Sequence, residues 1–104
     1  MVDATLMTRP PARDLDAAVR LLEVAADPVR LTVLRLLGDG QRCVCRLQPE
    51  VGVAANLLSY HLKVLRQAGL VTASRRGRWV DYALAPDALD RLHTALPPIC
   101  EVST

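Results

Sequence analysis

Phenylalanine is absent from this chain, and only one Trp and two Tyr occur. A core without large rings must be assembled from Leu, Val and Ala, which points to a helix-rich fold with small side chains at its contacts. Acidic residues are missing from Val51 to Val80, the stretch that holds Lys63, Arg66, Arg75, Arg76 and Arg78. Five of the 13 basic residues fall there, leaving eight basic against 11 acidic residues elsewhere, a net of −3. So concentrated a positive field suits a polyanion, because each cation that neutralises a phosphate releases condensed counterions. No apolar run approaches the length of a membrane span. Met1-Val2-Asp3-Ala4-Thr5 lacks the basic start that precedes the apolar stretch of a secretory signal. The expectation is a cytoplasmic protein with no membrane partner. Three Cys in a reducing compartment do not make a structural disulfide framework.

A chain of 104 residues is one domain with a thin core. Its hydrophobic fraction of 51% is more than that core needs, so a partner subunit is expected to cover the surplus. Residues 1–13, with Arg9-Pro10-Pro11, read as a flexible arm. The domain spans 14–97, and 98–104 form a tail.

Asp14 is a candidate cap for a first helix, with Leu15, Val19, Leu22 and Ala26 as its apolar stripe. Asp27-Pro28 ends that helix and opens a second, Asp as N-cap and Pro at the first helical position. Val29, Val33, Leu36 and Leu37 line one face of it until Gly38-Asp39-Gly40. A short third helix from Cys43 to Glu50 breaks at Gly52, and a fourth runs from Ala55 to Ala68. The period then changes. Leu70 to Ser74 and Trp79 to Leu84 read as two strands around a basic turn, Arg75-Arg76-Gly77-Arg78. Pro86-Asp87 opens a last helix carrying Leu89, Leu92 and Leu96, closed by Pro97-Pro98. The fold expected is mainly α with a β-hairpin wing: a winged helix-turn-helix in the order α-α-α-α-β-β-α.

On the fourth helix Leu58, Leu62 and Leu65 form the buried face, while Asn56, Ser59, Tyr60, Lys63, Arg66 and Gln67 form a second stripe. That stripe has donors and no acid. A helix entering the major groove of duplex DNA needs amides and hydroxyls for base edges and cations for phosphates. An ordinary solvated face would mix Glu with Lys. Arg75, Arg76 and Arg78 match a wing lying on the DNA backbone, although a solvated hairpin turn uses similar residues. His61, beside Leu57 and Leu65, reads as a partly buried structural histidine, and Trp79 as hairpin packing.

Asp27-Pro28-Val29-Arg30-Leu31, Ser59-Tyr60-His61-Leu62-Lys63-Val64-Leu65 and Ala68-Gly69-Leu70-Val71 together closely resemble the ArsR/SmtB family of metal-sensing transcriptional repressors. The resemblance runs from about Leu15 to Leu96. It implies a homodimer that binds operator DNA, represses a resistance operon and leaves DNA when metal binds. Ala54 departs from it, standing where these proteins often have a helix-capping Ser.

Cys43-Val44-Cys45 stands where the resemblance places the Cys-Val-Cys of arsenic and cadmium sensors. Residues two apart on an α-helix point about 200° apart, so a regular helix cannot aim both sulfurs at one ion, whereas an extended segment can. Chelation by the pair is therefore expected to unwind the short helix locally. Thiolates suit soft ions. Gln48 occupies the place of a third Cys found in some arsenic sensors, and Cys100 in the tail is the remaining thiol. Three thiolates suit As(III) or Sb(III) as inducer; Cd(II) or Pb(II) is the alternative. Buried, inert cysteines are the bland reading, and Arg42 and Arg46 beside the pair favour reactive thiols. Cys100 reads equally as a bystander. The family's other site, in the last helix, is matched only by Asp87, Asp90 and His93, without a second His before Glu101. A thiol-redox or sulfur-sensing repressor, and a DNA-binding module with inert cysteines, remain open. No acid–base pair or nucleophile constellation appears, so neither an enzyme nor a small-molecule substrate is expected.

Overall fold

Asp27 stops one helix and starts the next, as its sequence implies. In the computed structural model, which describes residues 12–97, its carboxylate accepts from the backbone N–H groups of Val29 (2.9 Å) and Arg30 (3.1 Å). Two of the four orphan donors of the new helix are thereby satisfied, and Pro28 needs none. The order is α1 (Ala12–Ala25), α2 (Pro28–Leu37), β1 (Arg42–Cys43), α3 (Val44–Val51), α4 (Ala55–Gln67), β2 (Val71–Arg76), β3 (Trp79–Leu84) and α5 (Ala88–Ala95). This is the winged helix-turn-helix expected, with five helices among the described residues.

Several expectations are corrected. The first helix includes Ala12, so Asp14 lies inside it rather than capping it. A third strand, β1, pairs antiparallel with β3, giving a sheet in the order β1-β3-β2. Arg75 and Arg76 belong to β2, not to the turn; the hairpin loop is Gly77-Arg78, with Gly77 at a positive φ of 64°. Trp79 is 45% exposed, opposite Arg76 at the strand end, rather than packed. Leu57 is 43% exposed and does not share the buried face with Leu58.

The core is the aliphatic one that the missing rings demand: Val33, Leu34, Leu37, Leu47, Leu58, Leu62, Leu65 and Leu70 are its larger members. Burying a Leu side chain contributes about 1.5–3 kcal/mol, so Leu58, Leu62 and Leu65, each at most 1% exposed, fix the roll of α4. Leu15, Val19, Leu89 and Leu96 lie near half exposure on α1 and at α5. No helix among the described residues is long and apolar enough to cross a membrane.

Candidate nucleic-acid interface and thiol pair

With Leu58, Leu62 and Leu65 turned inward, Asn56, Ser59, Tyr60, Lys63, Arg66 and Gln67 are all exposed, as the expected stripe requires. The end of α4 is fixed by backbone chemistry. Gly69 takes a φ of +76°, its N–H donates to the Arg66 carbonyl, and the Leu70 N–H donates to the Leu65 carbonyl. This paired closure satisfies carbonyls that a helix end leaves free. The start is looser. Ala54 has the extended backbone of an N-cap but no side chain able to accept from the first turn.

Two arginines that sequence periodicity does not reveal hold α4 in place. Arg91 of α5 donates from Nη1 to the Gly69 carbonyl and from Nη2 to the Ala68 carbonyl, both at 3.0 Å. Arg30 of α2 donates from Nε to the Val24 carbonyl near the end of α1. Its Nη1 lies 3.1 Å from Nδ1 of His61 on α4. Arginine can only donate, so in this contact Nδ1 is the acceptor. His61 is therefore the structural histidine expected, joined to Arg30 rather than set between Leu57 and Leu65, with Asp27 Oδ2 3.8 Å from Nδ1. The backbone N–H of Arg30, more than that of Val29, holds the Asp27 carboxyl below the usual carboxylate range. In the sequence Asp27 and Arg30 stand together in Asp27-Pro28-Val29-Arg30-Leu31 and His61 in Ser59 to Leu65, while nothing local marks Arg91.

On the wing, Arg75, Arg76 and Arg78 are exposed, but Arg76 is not free. Its Nε and Nη2 donate to the two oxygens of Asp81 at 2.9 and 3.0 Å. Asp81 is only 7% exposed. The arginine hydrogen bond holds the Asp81 carboxyl below its ordinary range against the cost of burial and raises Arg76 in return.

The thiol pair departs from the helical reading. Cys43 has extended backbone and caps α3, which begins at Val44, so the two sulfurs converge without any unwinding. They meet in disulfide pairing, with Cα atoms 5.1 Å apart, inside the usual span for such a bridge. A bridge between residues two apart closes a very short loop and constrains the unfolded chain little, so it is no structural framework. Cys43 is buried and Cys45 exposed. Arg42 and Arg46 both line the cavity that holds the two sulfurs, and Arg42 also donates to the Leu36 carbonyl and to Glu50. Gln48 donates to the Val53 carbonyl. Cys100 lies outside the described residues. No grouping of three His, Cys, Asp or Glu side chains that could hold a metal ion occurs among the described residues, Asp87, Asp90 and His93 included.

Residues 27–73, the span from the α2 cap into β2, match the family described as bacterial regulatory protein, arsR family. The chain is 46% identical over 81 residues to the HTH-type transcriptional repressor SmtB of Mycobacterium tuberculosis, covering 78% of this chain and 60% of that protein. It therefore spans about 60% of the length of that curated relative. A solved structure of a possible transcriptional regulator for arsenical resistance superposes with a TM-score of 0.68 at 39% identity, covering 71% of this chain and 77% of that one. The homodimeric winged helix-turn-helix DNA-binding domain of a possible ArsR-family regulator from Mycobacterium bovis gives 0.69 at 33% identity, covering 78% and 75%.

Proposed function

The chain belongs to the arsR family of bacterial regulatory proteins, which are transcriptional regulators and not enzymes, and on that premise we propose that it is a homodimeric operator-binding repressor released from DNA through Cys43 and Cys45. The observation that carries this reading is the meeting of two sulfurs at the N-terminus of α3, one helix before an exposed, acid-free stripe on α4. Asn56, Ser59, Tyr60 and Gln67 read base edges, and Lys63, Arg66, Arg75, Arg76 and Arg78 take phosphates. Half-exposed Leu15, Val19, Leu89 and Leu96 supply the apolar area for a second copy, and a palindromic operator needs two reading helices.

The inducer favoured is As(III) or Sb(III), which supplies a centre that takes three thiolates; Cd(II) and Pb(II) also accept sulfur. Cys43 and Cys45 provide two ligands, and Cys100 is the proposed third. The disulfide pairing favours one second reading, release by oxidation. There the two thiols give up two electrons and two protons to a disulfide oxidant, which leaves as two thiols. Titration of the repressor–operator complex with arsenite under argon, and separately with oxidised glutathione, tests both. Arsenite is expected to release wild type and not the Cys43→Ser or Cys45→Ser variants, which retain operator affinity. Full arsenite release from the double variant refutes the thiol site.

A further inference from the structure

Asp81 is a buried carboxylate that neither the reading helix nor the thiol pair accounts for. In the sheet it stands directly opposite Cys43 on β1 and Ser74 on β2, and directly opposed residues share a face. Arg76 is opposite Trp79, two residues before Asp81, so it lies on the same face at the diagonal position, within reach of a long side chain. It reaches across with two charge-assisted bonds, while Gln41, two residues before Cys43, adds a longer contact at 3.5 Å. Cys43, Cys45, Arg46, Arg76 and Asp81 line one cavity of about 440 Å³. Cys43, as the strand partner of Asp81, and Arg76, as its diagonal hydrogen-bond donor, thus meet at one carboxylate.

Arg76 cannot leave Asp81 cheaply, because that would strand a buried charge. It remains anchored, with most of its side chain exposed and Nη1 free of the bidentate pair to meet a phosphate. Where Arg76 points is then decided by where Asp81 sits, and Asp81 is held in register by Cys43. We infer that Asp81 is a positioning residue that transmits the chemical state of Cys43 and Cys45 to the wing, by fixing Arg76 on the DNA backbone in one thiol state and withdrawing it in the other. The inference rests on the repressor reading above and adds the route from thiols to DNA.

The test is the salt dependence of operator binding in each thiol state, with the reduced protein, arsenite and oxidised glutathione as the three conditions. Each phosphate contact contributes about 0.9 to the slope of log K against log salt. Loss of Arg76 from both wings is therefore expected to flatten the wild-type slope by about 2 on treatment with a probe that releases DNA. In Asp81→Asn the slope should be the same in all conditions, while preference for operator over random DNA is kept. Arg76→Gln, which can still donate to Asp81, should likewise show no change of slope between thiol states and carries the test if Asp81→Asn fails to fold. A wild-type protein released by neither probe overturns the repressor reading and this route together. Release of wild type with an unchanged slope, or a wild-type slope change in either variant, overturns the route alone.

Discussion

Replacing Ala54 by Ser should stabilise the protein through the start of its reading helix. Ala54 sits at the N-cap of α4 with φ −61° and ψ 150°, and its carbonyl already accepts from the Leu58 N–H at 3.0 Å. What is lacking is a side-chain oxygen for the N–H groups of Asn56 and Leu57. A Ser hydroxyl at such a position accepts from the second or third residue of the helix and is worth about 1 kcal/mol over Ala, within a range of roughly 0.5–2. Ala54 is exposed, so the added oxygen meets no packing penalty. For a domain of this size 1 kcal/mol corresponds to a rise in Tm of about 4–8 °C. Thermal unfolding followed by circular dichroism, at one fixed protein concentration because a dimer's Tm depends on it, measures the shift. Asp27 is the internal comparison, since its cap bonds are present and Asp27→Ala should lower Tm. A rise below 1 °C in Ala54→Ser, with Asp27→Ala behaving as expected, would mean that the first turn of α4 is already satisfied by solvent.

Three further outcomes are expected. Arg78→Ala should weaken operator and random DNA alike and reduce the salt slope by about 2 per dimer, whereas Asn56→Ala or Tyr60→Ala should erode preference between them; an unchanged preference in both places the wrong helix in the groove. Leu62→Ala removes a side chain that is 1% exposed and should cost about 2–5 kcal/mol in urea unfolding, a loss under 1 kcal/mol contradicting its core position. Asp27 and Asp81 have lowered carboxyl pKa values, so their contributions are full above about pH 5 and disappear as the pH falls below the ordinary value of about 3.9; Asp27→Asn and Asp81→Asn should each flatten the acid limb of a stability profile between pH 2 and 6, and an unaltered limb refutes the linkage.

What could be seen in the sequence was local. The Asp27-Pro28 junction declares itself because cap and first helical residue are adjacent, and the face of α4 follows from steps of three and four between Leu58, Leu62 and Leu65. Periodicity fails where an element is too short to have a period. β1 is two residues long, and missing it made Cys43 helical and set the two sulfurs on opposite sides. The start of α1 is not legible because Asp14 resembles a cap while the helix already includes Ala12. Arg75 and Arg76 look like turn residues because a charged strand end has no apolar alternation to mark it.

The long-range links were invisible for a different reason: each joins residues that no spacing relates. Three arginines play one part in this aromatic-poor molecule. Arg30 donates to Val24 at the end of α1, Arg42 to Leu36 at the end of α2, and Arg91 to Ala68 and Gly69 at the end of α4. The carbonyls at a helix C-terminus lack intrahelical donors and carry the negative end of the helix dipole, so a guanidinium is the apt partner. Each arginine comes from a different segment than the end it closes, which turns a local capping need into a tertiary strut. A Lys there offers one point charge in place of a planar fork, so Arg91→Lys should not restore the two-carbonyl clamp that Arg91 makes. The fixed geometry of α4 thus depends on Arg30 and Arg91, whose guanidinium groups are spent on contacts inside the domain.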